Sequence, residues 1–100
     1  MKRHVILRPR ALRDLEDIWD YTIANWGARQ AESYVRQVNE AFEALAENPN
    51  LGRSCEQVRA GYRKYLVGSH IVFYRKVGDA VEVVRILHAR MDVNRNLQGL

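Results

Sequence analysis

At 100 residues, 47% hydrophobic and 28% charged, the chain has the composition of a folded protein and the length of one domain, so residues 1–100 are expected to share a single core. With 16 Lys plus Arg against 12 Asp plus Glu, the net charge of +4 favours encounter with an acidic protein or a nucleic acid. The apolar run after the charged start covers only Val5 to Leu7, too short for a signal peptide or a membrane span. Cys55 has no second cysteine to pair with, which excludes an internal disulfide and fits a cytoplasmic protein.

The first element in chain order is a short strand, Val5 to Leu7, ended by Arg8-Pro9, where the proline can open a helix. Leu12, Leu15, Trp19, Ile23 and Trp26 then recur at steps of three and four, the spacing of one helical face. That stripe is expected to be the buried one, with Trp19 against the sheet, and Asp14, Glu16, Asp17 and Asp20 are expected to be solvated on the opposite face. Gly27 can end this helix. Ala31, Tyr34, Val35, Val38, Phe42 and Leu45 mark a second helix, broken by Asn48-Pro49-Asn50-Leu51-Gly52.

The second half turns to strand chemistry. Tyr62 to Val67, His70 to Val77 and Ala80 to His88 are rich in Val, Ile, Tyr and Phe. Gly68-Ser69 and Gly78-Asp79 between them are hairpin turns. The expected fold class is α+β, in the order β-α-α-β-β-β, with a helical hairpin on one face of a small, mainly antiparallel sheet that the first strand joins.

Basic residues accumulate in the second half, from Arg53 to Arg95. Strand alternation allows Arg63, Tyr65, Arg75 and Arg85 to share the sheet face away from the helices. Such a face could grip phosphates or an acidic peptide, because a guanidinium fork pairs with either, or it could simply blunt an exposed sheet. His4, His70 and His88 are too scattered for metal ligands, and Cys55 has no His or Asn beside it for nucleophilic work, so no metal and no cofactor is expected. No phosphate-cradling glycine loop or nucleophile elbow is present in the sequence.

The order of these elements, together with Pro49-Asn50-Leu51-Gly52-Arg53, Tyr62-Arg63-Lys64-Tyr65, Gly68-Ser69-His70-Ile71-Val72-Phe73-Tyr74-Arg75 and Val84-Arg85-Ile86-Leu87-His88-Ala89-Arg90-Met91-Asp92, resembles the ParE branch of the ParE/RelE toxin superfamily. The likeness runs from about Arg8 to Asp92. It implies the toxin of a type II toxin–antitoxin system, bound in a hetero-oligomer by an acidic ParD-like antitoxin through which alone it would meet operator DNA. The implied target is DNA gyrase. On that reading Arg63, Tyr65, Arg75 and Arg85 are expected to meet the antitoxin. Arg90, Met91, Arg95 and Leu97, which follow the last strand, are expected to reach the target.

The sister RelE-like branch implies a second mechanism, ribosome-dependent cleavage of mRNA. In-line attack by a 2′-hydroxyl needs cations around the phosphate and proton carriers, for which Arg63, Arg85 and His88 are the candidates. Ribonuclease members often place a Tyr close to the C-terminus, whereas His88 is followed by Ala89-Arg90-Met91-Asp92-Val93-Asn94-Arg95 with no Tyr. This departure favours a non-enzymatic inhibitor. A plain nucleic-acid-binding module, a third possibility, has only charge in its favour and would bind with steep salt dependence.

Overall fold

The computed structural model describes residues 3–91 and 96–97. Strand β1 (His4–Leu7) leads into helix α1 (Pro9–Trp26), which Gly27 separates from helix α2 (Ala28–Glu47). Four strands follow: β2 (Arg53–Ser54), β3 (Arg63–Val67), β4 (His70–Val77) and β5 (Ala80–His88). The sheet order is β1-β5-β4-β3-β2. β1 lies parallel to β5, and the remaining pairs are antiparallel. The expected α+β order therefore stands, with a two-residue strand β2 added at the edge.

Each face of the sheet has its own core. On the helical side, Ala11, Ile18, Val38, Phe42 and Leu45 pack against Val67, Val72, Tyr74, Val81, Val83 and Ile86. On the other, Cys55, Tyr62, Phe73, Val84, Leu87 and Leu97 form a second buried cluster. Strand alternation divides β4 between them, Val72 and Tyr74 to one side and Phe73 to the other.

One expectation about α1 is corrected. Its buried residues are Ala11, Asp14, Ile18 and Thr22, whereas Leu12, Ile23 and Trp26 are exposed, Trp26 by 70%, and Trp19 is only half-buried. Two stripes one position apart share the same three-and-four spacing, and bulk alone picks the wrong one. Small residues face the sheet because they let the helix axis approach it, so fully buried Ala11 decides the rotation of the helix where the tryptophans do not.

β5 also carries a bulge. Phe73 pairs with Arg85 while Tyr74 pairs with Val83, so Val84 is an extra residue with no partner opposite it. β1 ends at the same level, Leu7 against Val83, and the Arg8 N–H donates to Val83 O at 3.0 Å. Beyond that point the outer edge of β5 is no longer paired with a strand.

Candidate functional site

The unpaired edge is taken over by Asp14. Its Oδ2 accepts from the Ile86 N–H at 3.0 Å and from Arg85 Nε at 2.7 Å, while Oδ1 accepts from Arg85 Nη2 at 3.1 Å. The third guanidinium nitrogen, Nη1, donates to Asn96 O at 2.9 Å. Arg85 is 5% exposed and Asp14 8%. Both sequence expectations fail for one reason: Asp14 is not solvated and Arg85 is not on an open face, because each is the other's buried partner.

The other basic residues do not share a face either. Arg63 pairs with Tyr74, on the helical side, and its guanidinium donates to Gly52 O at 3.0 and 2.6 Å and to Asn50 O at 3.2 Å. Arg75 pairs with Glu82 on the opposite side, Nε to Oε1 at 2.8 Å, and Arg8 reaches the same carboxylate at 3.1 Å. Burial pushes the Glu82 carboxyl up, but the hydrogen bonds from Arg75 and Arg8 outweigh it and hold the group below its ordinary value. Tyr65 packs half-buried against the helical-side core, not on the far face. The expected basic face is thus dispersed.

Near the far end of β4 and β5, His70 opposite His88 in the register, the side chains make a polar cluster that sequence reading missed. The Tyr34 hydroxyl lies 2.6 Å from His70 Nδ1, 3.1 Å from Val67 O and 3.1 Å from the Ser69 N–H. All three contacts hold together when Tyr34 donates to Val67, accepts from Ser69 and accepts from a protonated His70 Nδ1. The two histidine rings meet edge-on at 5.3 Å. His88 Nδ1 accepts from the Arg90 N–H at 3.1 Å. Burial, with repulsion from His88, lowers the His70 pKa below its ordinary value, against a smaller opposing pull from Asp14.

Two adjoining cavities, about 190 and 350 Å³, open beside this cluster and share Tyr21, Thr22, His70 and His88. Met91 lines one and Trp26 the other. A separate cleft of about 530 Å³ is lined by Leu51, Arg53, Lys64, Tyr65, Leu66 and Ile71. Leu66 and Leu51 are 64% and 45% exposed there.

Among the residues assigned to the target, Arg90 and Met91 are exposed. Leu97 is 5% exposed, inside the second cluster, which corrects its assignment as a free anchor: its apolar surface is already covered by Cys55, Phe73 and Leu87. Arg95 lies outside the described residues. Cys55 is buried, which pushes its thiol up and leaves it a core residue. No three His, Cys, Asp or Glu side chains converge on a metal-sized space among the described residues, and none of their helices is long and apolar enough to cross a membrane.

A family model described as the ParE toxin of the type II toxin–antitoxin system parDE matches residues 5–93. The chain belongs to the ParE toxin family. Toxin ParE1 of Mycobacterium tuberculosis is 49% identical over 98 residues, covering 97% of this chain and 100% of that protein. The structure of a chromosomal ParDE system from P. aeruginosa superposes with a TM-score of 0.75 at 20% identity, covering 87% of this chain and 96% of that one. The RelBE2 toxin–antitoxin complex of Mycobacterium tuberculosis gives 0.65 at 22%, covering 88% and 99%. At such identities the last two speak for the shared RelE/ParE-like fold alone. The ParE toxin family accounts for the hairpin-on-sheet frame, and that frame carries the Asp14–Arg85 pair and the Tyr34–His70–His88 cluster.

Proposed function

We propose that this ParE-type toxin inhibits DNA gyrase by docking, without catalysis, and is neutralised by a ParD-like antitoxin. The observation that carries the non-catalytic reading is the separation of the three residues a ribonuclease would use. His88 pairs with His70 whereas Arg63 pairs with Tyr74, four residues along β4, or about 13 Å at the rise of a strand. Arg63 is tied to the Asn50–Gly52 carbonyls and Arg85 is committed to Asp14. A phosphate therefore has no site at which the two guanidinium groups and the imidazole meet it together.

For the target we retain Arg90 and Met91, with Arg95. For the antitoxin, the cleft of Arg53, Lys64, Leu51 and Leu66 offers what the dispersed arginines do not: cations beside exposed apolar side chains, suited to an acidic and apolar tail. The supercoiling activity of purified gyrase, assayed with this protein and in parallel with ribosome-bound mRNA cleavage, tests the mechanism. Inhibited supercoiling with intact mRNA is expected, and codon-boundary cleavage with untouched gyrase would overturn it. Charge reversal of Arg53 and Lys64 together is expected to weaken antitoxin binding by about tenfold or more through lost charge-assisted contacts and slower association. Unchanged affinity in calorimetry would move the antitoxin elsewhere.

A further inference from the structure

Arg85 has more donors than its ion pair uses. Asp14 occupies Nε and Nη2 in a two-pronged pair, and the carboxylate is completed by the Ile86 N–H. Nη1 is turned the other way, to the carbonyl of Asn96. One buried guanidinium thus joins helix α1 to a backbone group 11 residues further along the chain. Immediately after that carbonyl, Leu97 inserts among Cys55, Tyr62, Phe73, Val84 and Leu87.

The bulge gives the reason for the geometry. With Val84 inserted, Val84 and Arg85 together stand against Phe73, so β5 turns where β1 has ended and Asp14 can reach its edge. A buried ion pair is seldom worth more to stability than well-packed apolar residues would be. Its advantage is directional, because a planar fork with fixed nitrogen positions holds two partners in a set relation. Here the two partners are α1 and the C-terminal segment.

We propose that the Asp14–Arg85 pair is a positioning device for the C-terminal segment: Arg85 seats Asn96 and Leu97, and so anchors the chain end that the target reading assigns to gyrase. This rests on the reading that the C-terminal residues contact the target. Asp14 and Arg85 act through the segment and do not themselves touch the partner.

Arg85→Lys tests it, since the ammonium keeps the charge beside Asp14 but has no planar fork to divide between two partners. Amide hydrogen exchange at Leu97, measured against amides of β4, reads the seat directly. Gyrase inhibition and antitoxin affinity read the consequence. Loss of one charge-assisted hydrogen bond corresponds to about ten- to a hundredfold faster exchange at Leu97, with β4 unchanged, inhibition falling by about tenfold or more, and antitoxin affinity within about twofold. Leu97→Ser, which removes the other half of the seat and leaves the ion pair alone, is expected to give the same pattern and decides the matter should Arg85→Lys not fold. Val38→Ala, a deletion in the helical-side core, serves as the stability-matched control and is expected to keep its inhibition. The proposal is overturned by Leu97 exchange unchanged in both seat variants, or by equal loss of inhibition in Val38→Ala. Should the wild-type protein leave gyrase untouched, the functional reading fails, while the exchange at Leu97 still decides whether Arg85 holds the segment.

Discussion

Two tyrosine hydroxyls sit near opposite ends of the sheet and do the same job in different surroundings. Tyr74 is fully buried; it donates to Pro49 O at 2.7 Å and accepts from the Gly52 N–H at 2.9 Å. Tyr34 is half-buried and holds Val67 O, the Ser69 N–H and His70 beside two open cavities. Each has a glycine pressed against it. A Cβ on Gly52 would lie 2.7 Å from the Tyr74 ring and 2.6 Å from Lys64 O, and one on Gly68 would lie 2.7 Å from the Tyr34 ring. Gly68 also has φ +55°, which a side chain rarely adopts. The sealed hydroxyl locks the turn between α2 and β2, whereas the open one leaves a titratable ring within reach of water.

The open end holds one sealed contact, Asp14, and removing it should have the largest effect. Asp14→Ala leaves the Arg85 charge buried with no counter-ion and the Ile86 N–H with no acceptor, and is expected to cost about 3–5 kcal/mol in chemical denaturation. A cost of a few tenths would mean that the whole open end is soft and that Arg85 finds water in the cavity.

The next largest difference is between the hydroxyls themselves. Tyr74→Phe strands a buried N–H and a buried carbonyl, at about 1–1.5 kcal/mol each or about 2–3 kcal/mol together. Tyr34→Phe lets water replace most of what is lost, and is expected to cost about 0.5–1.5 kcal/mol. Equal costs for the two variants would erase the distinction between the sealed and open ends.

These contrasts also explain what was legible in the sequence. Helices 9–26 and 28–47 and the three long strands follow from hydrophobic spacing and from Gly-bearing turns, all local signals. The face of α1 does not, because two stripes with equal spacing differ only in what they meet across the fold. Asp14 and Arg85 are 71 positions apart, and no local pattern marks either as the other's partner. Nor does strict alternation show that the bulge sets Val84 and Arg85 together against Phe73, or that pairing with Tyr74 turns Arg63 to the helical side, away from Arg75. A Tyr or His looks alike in a sealed site and an open one, so Tyr34 in α2 carried no signal and His70 none beyond the Gly68-Ser69 turn before it. Leu97 read as a free anchor because nothing near it in sequence shows the cluster it enters.

Acid should act first at the open end. The His70 pKa is lowered in the folded protein, chiefly by burial and by His88, relative to an ordinary value of 6.5. The unfolded chain therefore binds the proton more readily, so this contribution is fully present above about 6.5 and is lost as pH falls through the folded value. Asp14 limits the effect without changing its sign, and Tyr34 also faces the ring. His70→Gln should flatten the stability profile in that window. A wild-type profile equally flat there would show that the ring is solvated in the folded state.

The smallest effect is expected from His88→Gln, and its size separates the two toxin mechanisms. Gln presents a carbonyl oxygen that can accept the Arg90 N–H as Nδ1 does, and His88 sits at the end of β5 where a polar amide can be solvated, so the fold is expected to survive with little change in stability. In an enzyme using His88 as its proton carrier, turnover would fall by about 10²–10⁴-fold. In a docking inhibitor the bound surface is made by a few anchors, and an imidazole lying against His70 is not exposed in the way that Arg90 and Met91 are. Growth arrest on controlled expression, with antitoxin withheld, is therefore expected to be as strong in His88→Gln as in the wild type, with gyrase supercoiling inhibited to the same extent. Growth arrest abolished by this one substitution, in a protein whose circular dichroism is unchanged, would assign the histidine a direct role and bring back the ribonuclease.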